Sequence, residues 1–261
     1  NHMLRFNKIH KTFNKNSDNP LHLYDNLNVQ IDPGEFVSII GANGSGKSTL
    51  FNILCGQILA DQGDVIFDGE QFNKKKVYER FKKISRVYQD PVAGTSPSQT
   101  ILENLSLAFD KGNLMNLKPG VHKEKVSDFK ALLKTLDLGL EEKMHVEVGK
   151  LSGGQRQALS LLMALMNNPK VLLLDEHTAA LDPKSSETIM KLTDKMVADR
   201  EITTLMVTHN LQHALDYGTR LIMFHEGRII FDVRGADKKQ LTKDDLISLF
   251  MEYNDFFSET V

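Results

Sequence analysis

The run GANGSGKST, Gly41 to Thr49, directly follows the apolar stretch Phe36-Val37-Ser38-Ile39-Ile40. A chain with this order must leave a buried strand, curl tightly and enter a helix. The spacing Gly41-x-x-x-x-Gly46-Lys47-Ser48 is that of a phosphate-binding loop, whose context is a strand before it and a helix after it. Both are predicted here: Phe36 to Ile40 reads as a short buried strand. Ser48 to Cys55 reads as a helix with Leu50, Ile53 and Leu54 on one face. The glycines let successive backbone N–H groups point inward as an anion-binding nest at the positive end of that helix. Asn43, Gly44, Ser45, Gly46, Lys47, Ser48 and Thr49 are thus the candidate phosphate contacts, with Lys47 as a point charge for the β- and γ-phosphates. Ser48 supplies a hydroxyl ligand for Mg²⁺. A Gly-rich turn without a ligand is the alternative reading.

At 261 residues, with 41% apolar and 25% charged residues, the chain has the composition of a soluble globular protein of one large or two small domains. A formal charge of -2 gives no global reason to bind nucleic acid. The basic clusters Lys74-Lys75-Lys76 and Lys82-Lys83 read as a solvated face rather than a polyanion site, because no aromatic residues interleave them. No apolar stretch approaches the roughly 20 residues that span a bilayer, and the polar start is not a secretory signal. The expectation is a cytosolic protein unless a partner anchors it. Asn1-His2 before Met3 resembles a cloning remnant. Cys55, the single cysteine, excludes an internal disulfide and a multi-cysteine metal site, and is expected to pack as a small hydrophobe.

Alternating side chains predict half-exposed strands at Leu4 to Phe13 and Leu27 to Ile31, with a loop from Asn14 to Pro20. Further strands are predicted at Asp64 to Gly69 and Ile84 to Tyr88. Short apolar runs at Val171 to Leu174, Ile202 to Val207 and Leu221 to Phe224 fit buried parallel strands, with helices at Lys184 to Ala198 and Asn210 to Tyr217. That alternation argues for an α/β core. From Ser98 to Asn167 the pattern is helical instead, at Gln99 to Phe109, His122 to Leu136 and Gly153 to Met166. This segment reads as a helical insert, and Leu241 to Phe250 as a terminal helix.

Two further motifs bear on chemistry. "VLLLDEH" is a strand whose end presents Asp175 for Mg²⁺ and Glu176 to polarise a water for attack on the γ-phosphate. Adjacent acids at a strand end can also be a solvated turn. "LSGGQRQ", Leu151 to Gln157, places Ser152 where a helix cap belongs. Together with the other two motifs, in this order, it resembles the ATP-binding-cassette ATPases, whose signature reads LSGGQ. The resemblance runs from Leu4 to about Phe231.

The resemblance implies an α/β P-loop NTPase core of the RecA-like kind, with an N-terminal antiparallel β-subdomain and a helical insert that carries the signature. It implies one ATPase domain over residues 3–261, with 3–97 and 168–261 as the catalytic core and β-subdomain and 98–167 as the helical subdomain. Phe13 matches the adenine-stacking aromatic, although a lone Phe near a strand end is also a core residue. Gln89 matches the glutamine that senses Mg²⁺ and the attacking water. His209 matches the γ-phosphate histidine, and Asp182 the loop that crosses to a second subunit. Ser152, Gly153, Gly154 and Gln155 would bind the γ-phosphate held by a partner's loop, so that ATP joins two chains head to tail. The implied roles are catalytic for Glu176, His209 and Gln89, with ATP as substrate and Mg²⁺ held by Ser48, Asp175 and Gln89.

Two features depart from many relatives. His177 stands where proline is common after the glutamate; histidine is the residue type that changes charge near neutral pH, and a tolerated loop variant is the alternative. The signature helix continues QALSLLMALM without the arginine common there, so an ion pair made by that arginine is not expected. His209 and His213 also have the i, i+4 spacing of a zinc pair, though no third ligand candidate lies nearby.

With a single cassette and no membrane span, a transport role implies separate permease subunits. The insert would carry the groove for a cytoplasmic helix of the permease, with Gln89 to Pro97 as the coupling hinge. The combination "QDPVAGTSPSQTILENL", "LSGGQRQALSLLMA" and "DEHTAALDP" is similar to importer ATPases that work with a solute-binding lipoprotein, for small solutes such as amino acids, aromatic ones among them. That implies a cytoplasmic protein held peripherally on the inner face of the membrane. Efflux or lipid-handling cassettes, and soluble non-transport cassettes, share the same catalytic set.

Overall fold

Strand β1 (Leu4–Phe13) and strand β2 (Leu21–Ile31) form an antiparallel pair at the start of the chain. The predicted strand at Leu27 extends back to Leu21, because pairing with β1 recruits the more polar residues Leu21 to Asn26, which lack a clean alternation. Strand β3 (Phe36–Gly41) is buried throughout and leads through the Gly-rich loop into helix α1 (Lys47–Cys55). Cys55 is fully buried in that helix, as a small hydrophobe. Next come β4 (Gln62–Phe67), β5 (Glu70–Gln71) and the short α2 (Val77–Arg80). Asp68 and Gly69 both have positive φ, making the two-residue hairpin turn that ends β4 before Gly69.

The chain continues with β6 (Ile84–Val87), α3 (Ile101–Gly112), α4 (Val126–Lys134) and α5 (Gly153–Met166). Then follow β7 (Val171–Asp175), α6 (Pro183–Arg200), β8 (Thr203–Val207) and α7 (Leu211–Asp216). The last elements are β9 (Arg220–His225), β10 (Arg228–Arg234), α8 (Gly235–Lys239) and α9 (Lys243–Ser258). This architecture is a computed structural model that describes residues 1–112 and 123–258. The expected helix start at His122 lies outside the described residues. The terminal helix runs beyond the predicted Phe250 to Ser258.

The described residues divide into two compact units, 1–80 with 202–261 and 81–201. In the first unit, the sheet β2-β1-β4-β5 is antiparallel, and β3 lies between β8 and β9, parallel to both. Strand β10 adds to β9 antiparallel through the turn Glu226-Gly227. A side chain at Gly227 would need a positive φ and would meet the Leu23 carbonyl oxygen at 1.6 Å, so only glycine fits. Behind β3 and β9, Ile40, Leu221 and Met223 form a core with Ala214 of α7 and Leu246 of α9. Burying each of the larger side chains among these, Ile40, Leu221, Met223 and Leu246, stabilises the fold by roughly 1.5–3 kcal/mol.

In the second unit β6 and β7 are parallel, with Val87 opposite Leu174. The buried face of α5, including Ala158, Leu161, Leu162 and Leu165, packs among α3, α6 and β6. The only pairing outside the strands within the expected helical stretch, among the described residues, is a bridge between Thr100 and Glu147.

Candidate active site

The Gly-rich loop is shaped by backbone that favours glycine. Gly44 and Gly46 have φ of 79° and 108°, a turn that L-residues disfavour. Gly46 is also where the buried Tyr24 arrives: its hydroxyl donates to the Gly46 carbonyl, and a Cβ at Gly46 would lie 2.7 Å from the ring. Burial raises the Tyr24 pKa far above the usual phenol range, so this donor stays protonated. Helix α1 begins at Gly46 with no side-chain cap, so its first N–H groups are available to an anion. The Ser45 hydroxyl is buried without a hydrogen-bond partner, an orphan that a phosphate oxygen would satisfy.

Lys47 is 4% exposed and donates its ammonium protons to the Gly41 carbonyl. Its Nζ also lies 3.5 Å from Nδ1 of His209. An ammonium has only protons to give, so Nδ1 is the acceptor and Nε2 carries the proton. His209 therefore presents an N–H donor beside the phosphate loop, within the same unit as Lys47 and the exposed Ser48.

His213 takes no part in that arrangement. His209 precedes the N-cap Asn210 of α7, so the two histidines do not share a helix face. His213 is buried instead, edge-on to Tyr217 at 6.0 Å. No cluster of three or more His, Cys, Asp or Glu side chains that could hold a metal occurs among the described residues. Ser48 in the first unit and Asp175 in the second each carry an oxygen of the kind Mg²⁺ takes alongside water and substrate phosphates.

The second unit carries the acids and the signature. Asp175 ends β7, and its Oδ2 accepts from Nη2 of Arg86 at 2.6 Å. Glu176 follows with φ of 52°, a left-handed conformation costing roughly 1–3 kcal/mol for a non-glycine residue. Fixed contacts hold the chain around it. Gln157 of α5, fully buried, donates from Nε2 to the carbonyls of Tyr88 at 2.8 Å and His177 at 2.6 Å. It thereby ties together the residue before Gln89 and the residue after Glu176. The His177 ring lies 3.0 Å from the Thr193 hydroxyl, whose proton goes to the Ile189 carbonyl at 2.7 Å. Thr193 therefore accepts from His177, which fixes the Nε2–H tautomer. His177 is thus a buried anchor to α6 and not a solvent-facing loop residue.

Ser152 caps α5 with a reciprocal capping box: its hydroxyl accepts from Gln155 N at 3.2 Å, and Gln155 Oε1 accepts from Ser152 N at 3.1 Å. Ser152 and Gly153 are exposed, and the Ser152 proton is left for donation. Asp182 caps α6 through Ser185 N at 3.1 Å, and hydrogen bonds from Ser185 hold its carboxyl below the usual range. Gln89 is exposed. Phe13 is half-buried at the end of β1 with Lys11 Nζ 5.2 Å above its ring.

The segment after Gln89 is pinned and not slack. Asp90 caps a 3₁₀ turn over Pro91–Gly94, and the buried Asn104 both accepts from Ser96 N at 2.7 Å and donates to Ser96 O at 3.0 Å. Beside it lies a cavity of about 430 Å³ between β6, α3 and α5, with Arg86, Tyr88, Gly94, Leu107 and Met163 in its wall.

The sequence motifs did not point to Arg86, Gln157, Thr193 or Tyr24. Arg86 had a signal, a lone charge within the strand Ile84 to Val87. Gln157 had another, a polar residue four before Leu161 on the apolar face of α5. Neither Tyr24 nor Thr193 stands out from its neighbours.

No helix among the described residues is long and apolar enough to cross a membrane. The profile of the family described as ABC transporter matches residues 24–179. A tyrosine transport ATP-binding protein of Clostridioides difficile (strain R20291) is 48% identical over 248 residues, 95% of this chain and 98% of its own. A phosphonates import ATP-binding protein, PhnC of Treponema denticola, is 35% identical over 79% of this chain and 81% of its own. Among solved structures, the ADP conformation of the ABC-transporter cassette MJ1267 superposes with a TM-score of 0.79 at 29% identity, covering 96% of this chain and 99% of that one. The dimeric cassette MJ0796 bound to ADP and Pi gives 0.74 at 31% identity, covering 89% and 98%. With the phosphate loop, the Asp175-Glu176 strand end and the capped signature helix all in place, this chain belongs to the ABC transporter family, as one of its ATP-binding, ATP-hydrolysing subunits.

Proposed function

We propose that the chain drives import of a small solute, an aromatic amino acid such as tyrosine, as a head-to-tail homodimer beneath membrane permease subunits served by a solute-binding lipoprotein. The observation that carries this reading is the 48% identity, across 95% of the chain, to the tyrosine transport ATP-binding protein. The protein would then be cytoplasmic and peripheral on the inner face of the membrane. Residues 3–97 and 168–261 act as catalytic core and β-subdomain of one ATPase domain, and 98–167 as its helical subdomain.

In this reading the nest from Asn43 to Thr49 binds the ATP phosphates, and Phe13 stacks on adenine. Lys47 neutralises charge on the β- and γ-phosphates. Ser48, Asp175 and Gln89 would hold Mg²⁺, which would supply charge neutralisation on the transferring phosphoryl group. Glu176 takes the proton of the attacking water, and His209 donates from Nε2 to a γ-phosphate oxygen. Ser152, Gly153, Gly154 and Gln155 act in trans on the partner's ATP, with Asp182 beside the same interface; the exposure of Ser152 and Gly153 supports that role. The cavity beside the 90–96 segment receives a cytoplasmic helix of the permease, and its wall includes Tyr88, next to Gln89.

The test is uptake by proteoliposomes holding the chain with its permease and binding protein. Labelled tyrosine should accumulate with ATP, and not when Glu176→Gln replaces the parent chain. Uptake of a phosphonate in place of tyrosine would overturn the substrate, and ATP-driven efflux would overturn the direction.

A further inference from the structure

Arg86 is an arginine inside a buried strand. Its neighbours Ile84, Ser85 and Val87 are buried, and its own side chain is only 5% exposed. A desolvated guanidinium needs a partner, and one partner here is Asp175, Nη2 to Oδ2 at 2.6 Å, with the carboxylate 18% exposed. Two further contacts define its surroundings. The guanidinium carbon lies 4.9 Å from the centroid of the Tyr88 ring, a cation–π contact, and Arg86 lines the cavity of about 430 Å³. The side chain thus has open volume and an aromatic face beside it.

We propose that Arg86 is a displaceable counter-ion on Asp175, which the divalent cation must compete with when Mg-nucleotide loads. The proposal rests on the assignment of Asp175 as the metal-holding carboxylate. A carboxylate shared with a guanidinium is a weaker donor to a metal than one standing alone, because the cations repel and Oδ2 is already engaged. Because the pair is largely removed from water, that competition is little screened. The cavity and the Tyr88 ring give the guanidinium a place to move to, so loading requires no repacking of the strand. Arg86 therefore sets how much nucleotide affinity depends on the metal, and keeps the carboxylate paired when no metal is bound.

The experiment measures binding of a non-hydrolysable imido analogue of ATP by calorimetry, with Mg²⁺ and with EDTA, and takes the ratio of the two affinities. For Arg86→Met and Arg86→Gln the ratio should rise about tenfold, within the usual range for coupled sites. Arg86→Lys, which keeps the charge, should stay near the parent value. Damage to the fold would lower the ratio or leave it unchanged, so the direction of the shift separates the two. A ratio unchanged or reduced in both neutral variants, each with a parent-like circular-dichroism spectrum and melting temperature and with Asp175→Asn showing the loss of metal dependence, would overturn the role of Arg86. If Asp175→Asn instead kept the parent ratio, the metal-ligand assignment itself would fail, whatever Arg86 did.

Discussion

Lys47 is a buried charge with partners close at hand. Without nucleotide its ammonium is satisfied by the Gly41 carbonyl and lies beside His209 Nδ1, so the charge is buried but not unpaired. In the proposed function, an arriving phosphate would offer the same protons a stronger acceptor. A charge-assisted hydrogen bond contributes about 1.5–3 kcal/mol. Lys47→Ala should therefore weaken ATP binding by about 10- to 100-fold, read by calorimetry; affinity within twofold of the parent would remove Lys47 from the phosphate contacts. That lysine was legible in the motif, and so was Glu176. The left-handed backbone at Glu176 was not, because nothing in the side chain announces a positive φ. It arises from the fixed neighbours: His177 tied to Thr193, and both His177 and Tyr88 held by Gln157.

Helix α5 joins three tasks along one axis. Its capped start exposes Ser152, its next turn buries Gln157 across two backbone carbonyls, and its apolar face packs the rest of the unit. Gln157→Met preserves volume and removes both donors, leaving two buried carbonyls without them. The expected result is a fall in kcat of about 10- to 100-fold, as small displacements of catalytic groups produce, with KM for ATP within twofold. A parent-like kcat would show that the carbonyls are held adequately without Gln157. The periodicity of α5 was visible in Gly153 to Met166, and its bounds match. The hairpin β9–β10 was missed, since Arg228 to Arg234 (RIIFDVR) lacks a clean alternation of apolar and polar residues; its strand character comes from antiparallel pairing with β9.

In the proposed head-to-tail dimer, Lys47 would act on a chain's own ATP and Ser152 on a partner's, and the buried position of Lys47 and the exposure of Ser152 suit that division. Glu176→Gln, which keeps the binding groups, should shift from monomer to dimer on size exclusion with light scattering when Mg-ATP is added. A monomer at saturating Mg-ATP, even with permease present, would contradict the trans-acting role of the signature. The sequence alone was enough to establish the family and the α/β fold class, and it marked the phosphate-loop, strand-end acid and signature motifs. These depend on residue types at short, fixed spacing, and local backbone geometry enforces that spacing. Only the tertiary structure decided that Arg86 pairs with Asp175, that Gln157 spans Tyr88 and His177, and that Tyr24 supports Gly46. Those partners lie between 20 and 89 residues apart in the chain. They meet because burial leaves each polar group needing a partner within hydrogen-bond reach, and which partner arrives there is set by strand pairing and helix packing, not by spacing along the chain.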